Sequence, residues 1–231
     1  MVNARLHRLP RGLLRIRRKG LQKTQAKSRL EGMAAVTPPP DVNPGSFRRI
    51  MGLFPTGVTV LAAQHGEDIH GMTANAVASV SLEPLLLLAC VARSARMNSF
   101  IERSGGFSLN VLSADQEVLS RYFAGSWKVT PPEFRFTPWP GGPRLVGSLA
   151  TIGCRLDRSI EAGDHWIVLG RVIALHEGDR SARPLLFFAG RYRRLSDLAE
   201  GVPAEPWSDE AVRIHYGERR NRGHRPPRPT G

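Results

Sequence analysis

The stretch SLATIGCRLDRSI-EAGD-HWIVLGRVIALH, residues 148–176, decides the fold. Ser148 to Ile160 and His165 to His176 are rich in apolar and β-branched residues, and Glu161-Ala162-Gly163-Asp164 between them is turn chemistry. They read as two long strands joined by a hairpin turn.

Outward from this pair the chain keeps producing strands. Toward the C-terminus, Pro184 to Ala189 is a last apolar strand ending at Gly190-Arg191-Tyr192. Toward the N-terminus, Phe107 to Leu112 alternates apolar and polar residues, the pattern of a half-buried strand. Leu85 to Val91, after Glu83-Pro84, reads as a strand covered on both faces. Val58 to Ala63 and Ile69 to Ala76 pair across the turn His65-Gly66-Glu67-Asp68. Three short helices interrupt them: Ser46 to Phe54 with Ser46 as N-cap, Ser94 to Glu102, and one opened by a Ser113/Gln116 capping box whose Val118, Leu119, Tyr122 and Phe123 share a face. Between them Gly125 to Pro143 is a long loop rich in proline and aromatics, and loops of that length tend to be lids or binding loops. Six or seven strands with no βαβ alternation predict a mainly β fold, a closed or partly closed antiparallel barrel.

The formal charge of +13 over 231 residues invites a nucleic-acid reading. Its distribution argues against one. Residues 1–32 hold ten Lys and Arg against Glu31 alone, residues 201–231 hold six Arg against four acids, and the interval 33–200 holds 17 basic against 15 acidic residues. The middle is almost neutral, and aromatics are not interleaved with the basic residues as stacking platforms would be. We therefore expect a basic, proline-containing disordered leader over 1–45, one domain over 46–198 and an Arg/Pro-rich mobile tail over 199–231. The longest apolar run, Leu85 to Ala92, is far short of the roughly 20 residues that span a membrane. Cys90 and Cys154 read as thiols in a reducing cytoplasm, and seven histidines without ligand spacing predict no metal.

No GxSxG, Walker or strand-following GxGxxG motif is present. What stands out is small and hydroxyl residues at strand ends: Thr56-Gly57-Val58-Thr59, and Gly71-Met72-Thr73-Ala74-Asn75-Ala76-Val77-Ala78-Ser79-Val80-Ser81. Such stretches either let backbone approach a flat polar ring or phosphate, or serve tight packing. Arg93 reads equally as a phosphate ligand or a solvated helix-start charge. His165 fits a polar hairpin as well as a site, and Phe188 fits barrel core.

The order of these stretches is familiar. Phe47-Arg48-Arg49-Ile50-Met51-Gly52, Phe54-Pro55-Thr56-Gly57-Val58-Thr59-Val60, His70-Gly71-Met72-Thr73-Ala74-Asn75, Ser79-Val80-Ser81-Leu82-Glu83-Pro84, Phe107 to Leu112, Ala162-Gly163-Asp164-His165 and Gly190 to Leu195 together resemble the flavin reductase family. The resemblance covers about residues 46–195. It implies an FMN-binding split β-barrel, antiparallel and Greek-key-like, that forms a homodimer, takes hydride from NADH or NADPH to FMN or FAD, and hands reduced flavin to a partner monooxygenase. The alternative on the same fold is a protein that keeps FMN as a bound cofactor without reducing free flavin.

Carried over by position, the resemblance places Thr56, Gly57 and Val58 along one edge of the isoalloxazine. Thr73, Asn75, Ala76 and Val77 meet its polar pyrimidine edge, and Ser79 joins the flavin-binding group. Cys90, Arg93, Ser94 and Asn98 reach the ribityl chain and phosphate, where a guanidinium suits phosphate oxygens. His165 faces the nicotinamide as the catalytic-side residue, and Phe188, Arg191 and Tyr192 close the pocket. Two positions depart from the family's pattern: Ala76 stands where a serine is common after the asparagine, and Gly105-Gly106 where an arginine often precedes the phenylalanine.

Overall fold

Every strand of the main sheet runs antiparallel to its neighbours, as the hairpin of residues 148–176 predicts. The structure is a computed structural model that describes residue 39, residues 42–126 and residues 128–195. The expected leader and tail lie largely outside the described residues. The chain divides into two compact units between Phe47 and Arg48.

The elements of the main sheet are β2 (Thr59–His65), β3 (Asp68–Ala74), β4 (Val77–Leu82), β5 (Leu85–Ala92), β6 (Gly106–Val111), β9 (Ala150–Ala162) and β10 (His165–Glu177), in the spatial order β3-β2-β6-β9-β10-β5-β4. The two outer strands, β3 and β4, are consecutive in sequence and joined by Asn75 and Ala76 alone. The chain leaves one edge of the sheet and returns as the other across a two-residue seam, with no ladder between β3 and β4. A small sheet of β1 (Thr56–Gly57), β11 (Leu185–Phe188) and β12 (Arg191–Arg194) lies outside, and β7 (Phe136–Thr137) pairs with β8 (Arg144–Leu145) within and beyond the long loop. The helices are α1 (Pro44–Met51), α2 (Met97–Ser104) and α3 (Glu117–Phe123).

The central hairpin follows its local chemistry. Gly163 turns between β9 and β10 at φ +64°, a conformation that favours glycine, and His165 pairs with Ala162. Inside the barrel Leu61, Ala63, Leu87, Ala89, Val91, Phe107, Leu109 and Val168 pack with Met97, Phe100 and Ile101 of α2. Each large side chain so buried contributes roughly 1.5–3 kcal/mol. A second cluster, Val58, Val60, Leu112, Leu119, Leu145 and Leu185, fixes α3 and β11 against the sheet.

Several local expectations change. The alternation of Phe107 to Leu112 does not mark a water-facing side, because Ser108 and Asn110 are wholly buried. Asn110 is a hub: its Nδ2 donates to Val60 O at 3.1 Å and Ser108 Oγ at 3.0 Å, and its Oδ1 accepts from Leu145 N at 2.9 Å and Thr151 Oγ1 at 3.0 Å. Complete hydrogen bonding is what makes a polar residue tolerable there. β5 buries only alternate residues, Leu87, Ala89 and Val91, since its other face looks outward. The run from Gly71 to Ser81 contains all but the last residue of a strand, β4, which its small residues concealed. Arg191 to Arg194 forms a strand, where an end was expected. α1 is capped by Asn43, whose Oδ1 accepts from Gly45 N and Ser46 N at 3.0 Å, and Ser46 Oγ answers as the reciprocal partner of Asn43 N at 3.1 Å. The Ser113/Gln116 capping box forms as predicted. Among the described residues no helix is long and apolar enough to cross a membrane.

Candidate functional site

The barrel seam gathers one group of candidate residues. Asn75 follows β3, Thr56 begins β1, and the Asn75 Nδ2 donates to Thr56 Oγ1 at 3.2 Å although 19 positions separate them. Gly57 and Ala76 are exposed beside them, and nothing lies within 4 Å of where a Gly57 side chain would begin. Cys90 joins this group from β5, its N–H donating to Ala76 O at 2.9 Å. The result is an exposed shelf of backbone and short polar groups, open to a flat ring.

Not all the expected neighbours offer side chains to it. Val58 is buried in the second core cluster, and its backbone is committed, with N–H to Leu185 O at 3.1 Å and C=O accepting from Leu112 N at 2.9 Å. Val77 opposes Ala89 and packs on the barrel core, so only its backbone borders the seam. Ser79 is exposed on β4 opposite Leu87, two positions further along the strand. The Thr73 hydroxyl donates to Ser120 O at 2.7 Å, tying β3 to α3.

A second group stands where β5 meets β10. The ladder pairs Ala92 with His165 and Cys90 with Ile167, which puts Arg93 beside the β9–β10 turn. Arg93 N donates to Asp164 O at 2.9 Å, its guanidinium bonds Glu161, and it lies 5.4 Å from the centroid of the Trp166 ring. The expected phosphate-binding charge is therefore already paired with a carboxylate, on an exposed surface where such a pair is readily exchanged. Asn98 Nδ2 donates to the carbonyls of Ala92, Arg93 and Ala95 at 2.8, 3.3 and 3.1 Å. Its amide holds the turn that presents Arg93 and the exposed Ser94. His165 is half-buried, and its Nδ1 lies 2.8 Å from Asp164 Oδ1. That hydrogen bond, followed by the charge of His165, holds the Asp164 carboxyl below its usual range.

The third group is the β11–β12 hairpin. Phe188 opposes Arg191 across Ala189 and Gly190, both at positive φ. Thr56, Phe187 and Tyr192 lie side by side on three adjacent strands. Tyr192 shares a hydrogen bond with Ser120 Oγ at 2.8 Å and stands under the Arg121 guanidinium at 4.8 Å. A chain Tyr192–Ser120–Thr73 thus links β12, α3 and β3 behind the seam.

Sequence reasoning missed Ser120, Glu161 and Asp164 as partners, and only the strand register reveals them. It flagged the 125–143 loop without naming residues. Phe134, Arg135 and Phe136 of that loop line a groove of about 760 Å³ with Ile69, His70, Gly71, Tyr122, Phe123 and Gly125.

Residues 51–196 match the flavin reductase like domain family. The NADH-dependent flavin reductase of a Rhodococcus species is 39% identical over 171 residues, 73% of this chain and 94% of that protein. HsaB, the reductase subunit of a flavin-dependent monooxygenase from Rhodococcus jostii, is 38% identical over 173 residues, 73% of this chain and 86% of that protein. Among solved structures, flavin reductase PheA2 in its native state superposes with a TM-score of 0.64 at 40% identity, over 67% of this chain and 99% of that one. The matched span contains every candidate residue described above.

Proposed function

The chain belongs to the flavin reductase-like family, and from that membership we propose that it is an NAD(P)H-dependent flavin reductase that supplies reduced FMN or FAD to a partner monooxygenase. The observation that carries this reading is the seam. Thr56 from β1 and Asn75 after β3 meet at 3.2 Å on an exposed shelf with Gly57, Ala76 and Cys90, as a flat heteroaromatic ring with a polar edge requires. A flavin held on this shelf would supply the two-electron redox chemistry, with NADH or NADPH as the hydride source.

The chain's own residues bind and orient. Gly57 gives the ring close access to backbone. Asn75 is held by Thr56 and keeps its carbonyl oxygen for a ring N–H. His165, oriented by Asp164, borders the other side, where a nicotinamide would be steered over the flavin; proximity is the main catalytic device for such a transfer. Arg93 reaches a phosphate by exchanging Glu161. Among the described residues no acid–base pair stands at the seam, in keeping with a step that moves a hydride.

The working unit we propose is a homodimer in the cytoplasm, its domain spanning 46–198. Support comes from apolar side chains left open in the single chain: Ile50, Met51 and Phe54 at and after α1, and Val80, Leu82 and Leu85 on β4 and β5. Both cysteines are free thiols. The test is NADH and NADPH oxidation with FMN, FAD and riboflavin, run beside sedimentation analysis. Turnover that requires added flavin, by a dimer, is expected. No oxidation with any pairing overturns the reductase reading and leaves the flavin-keeping alternative.

A further inference from the structure

Thr56 belongs to the small sheet and Asn75 follows β3 of the main one, and a single exposed hydrogen bond of 3.2 Å is too weak to hold two sheets in place. The backbone of Val58, Leu112 and Leu185 joins the sheets on the β11 side. On the β12 side the joint is α3, and Ser120 makes it.

A serine within a helix ordinarily turns its hydroxyl back to the carbonyl four residues earlier, or out to water. Ser120 is wholly buried and instead shares a 2.8 Å hydrogen bond with the Tyr192 hydroxyl. Its carbonyl accepts from Thr73 Oγ1 at 2.7 Å as well as from Ala124 N at 3.0 Å, which uses both lone pairs. Two residues before Thr73, Gly71 makes room for Phe123 of the same helix: a side chain there would begin 2.5 Å from the Phe123 ring. The height of α3 on β3 is thus set at two points. Tyr192 is held in turn. The Arg121 guanidinium lies 4.8 Å from its ring centroid, kept there by Glu117 at 2.7 and 2.9 Å, and Phe187 packs edge-on at 5.4 Å. Phe187 opposes Thr56 in the β1–β11 ladder. A circuit therefore runs Thr73–Ser120–Tyr192–Phe187–Thr56–Asn75 and returns to Thr73 along β3.

We infer that Ser120 is a positioning residue for the flavin, setting the separation of Thr56 and Asn75 from behind the shelf. The inference rests on the flavin reductase reading and deepens it. Thr73 and Tyr192, expected at the flavin's edge, direct their hydroxyls to Ser120. A residue needed only for packing at a fully buried helix position would be alanine, the better helix former with no polar group to satisfy. The serine hydroxyl has a use only toward Tyr192.

The test is a double-mutant cycle in the full-length protein. Kd for FMN and for FAD is read by fluorescence titration, beside the thermal midpoint, for the wild type, Ser120→Ala, Asn75→Ala and the double variant. Ser120→Ala removes the bond to Tyr192 and leaves the carbonyl that Thr73 uses. It is expected to weaken flavin binding about 3- to 5-fold in the wild-type background and less than about 1.5-fold once Asn75 is gone, while lowering the midpoint equally in both. A serine that serves stability alone lowers the midpoint and leaves Kd unchanged, or gives losses that multiply with those of Asn75→Ala; either result overturns the inference. Thr73→Val cuts the other bond at nearly constant shape and should show the same non-multiplying pattern. It decides the matter if Ser120→Ala does not fold. Failure of the reductase reading is separate, because the wild type then oxidises neither NADH nor NADPH with either flavin, whatever the cycle shows. A wild type that binds neither flavin removes both.

Discussion

Asn75 donates to Thr56 at 3.2 Å across the barrel seam, so the residue that follows β3 is held by the residue that begins β1. Both are accessible, and neither side chain supports the core. Their pairing orients the amide more than it stabilises the fold.

Removing it should therefore separate affinity from stability. Asn75→Ala is expected to weaken flavin binding roughly 5- to 10-fold, the scale of one lost hydrogen bond of about 1 kcal/mol, with little change in the thermal midpoint. Thr56→Val should do the same to a smaller degree. Fluorescence titration beside a thermal melt checks both, and a large fall in midpoint with unchanged affinity would refute the assignment.

His165 and Asp164 form the second functional pair. His165→Ala should raise the KM for the nicotinamide several-fold and leave flavin affinity near the wild-type value. The same substitution removes the hydrogen bond that depresses the Asp164 carboxyl. Its pKa should then rise toward the ordinary aspartate value, a change that NMR titration can follow residue by residue. An Asp164 pKa unmoved by the substitution contradicts the pairing.

Asn110 is the most exacting residue inside the barrel. Asn110→Ala strands Leu145 N–H, Thr151 Oγ1 and Val60 O together, and should destabilise the protein by about 3 kcal/mol or more. Denaturant unfolding measures it. A cost below about 1 kcal/mol would mean that the neighbours find other partners.

Cys154 makes a pH prediction whose sign follows from its burial, which pushes its thiol up to about 12 from an ordinary value of 9.0. Above pH 9 the unfolded chain releases this proton while the folded chain retains it. The stability due to Cys154 is thus fully present below pH 9 and is lost as pH rises toward 12. Cys154→Ala should flatten that alkaline decline, and a thiol reagent at pH 8 should reach Cys154 only after unfolding.

Much of the architecture was readable along the chain, because β9, β10 and their turn announce themselves through β-branched residues and Gly163. β4 did not, since Ala78, Ser79 and Ser81 are too small to give a strand pattern. Ser108 and Asn110 misled for a different reason: a polar residue in a strand normally faces water, and only a complete ring of partners permits the reverse. At the candidate site, Thr56, Gly57, Asn75 and Ala76 lie together, and Cys90, expected with Arg93, Ser94 and Asn98, bonds through its N–H to Ala76 as well. Val58 and Val77 turn inward, because alternation sends every second side chain into the core. The Arg93–Glu161 pairing joins residues 68 apart, and no local signal marks it. The long loop drew attention by length and aromatic content, whereas its groove depends on a glycine three strands' worth of chain away.

The seam has a consequence for how this protein can change. Asn75 and Ala76 are at once the link between the two edges of the curled sheet and the ledge on which we place the ligand. Ala74 and Val77, on either side, both point into the core. One residue more or fewer between them would rotate one of the two edges and expose its inner face. Side chains at this ledge can be exchanged without shifting either strand, whereas its length cannot change, so ligand preference here is tunable by substitution and not by insertion.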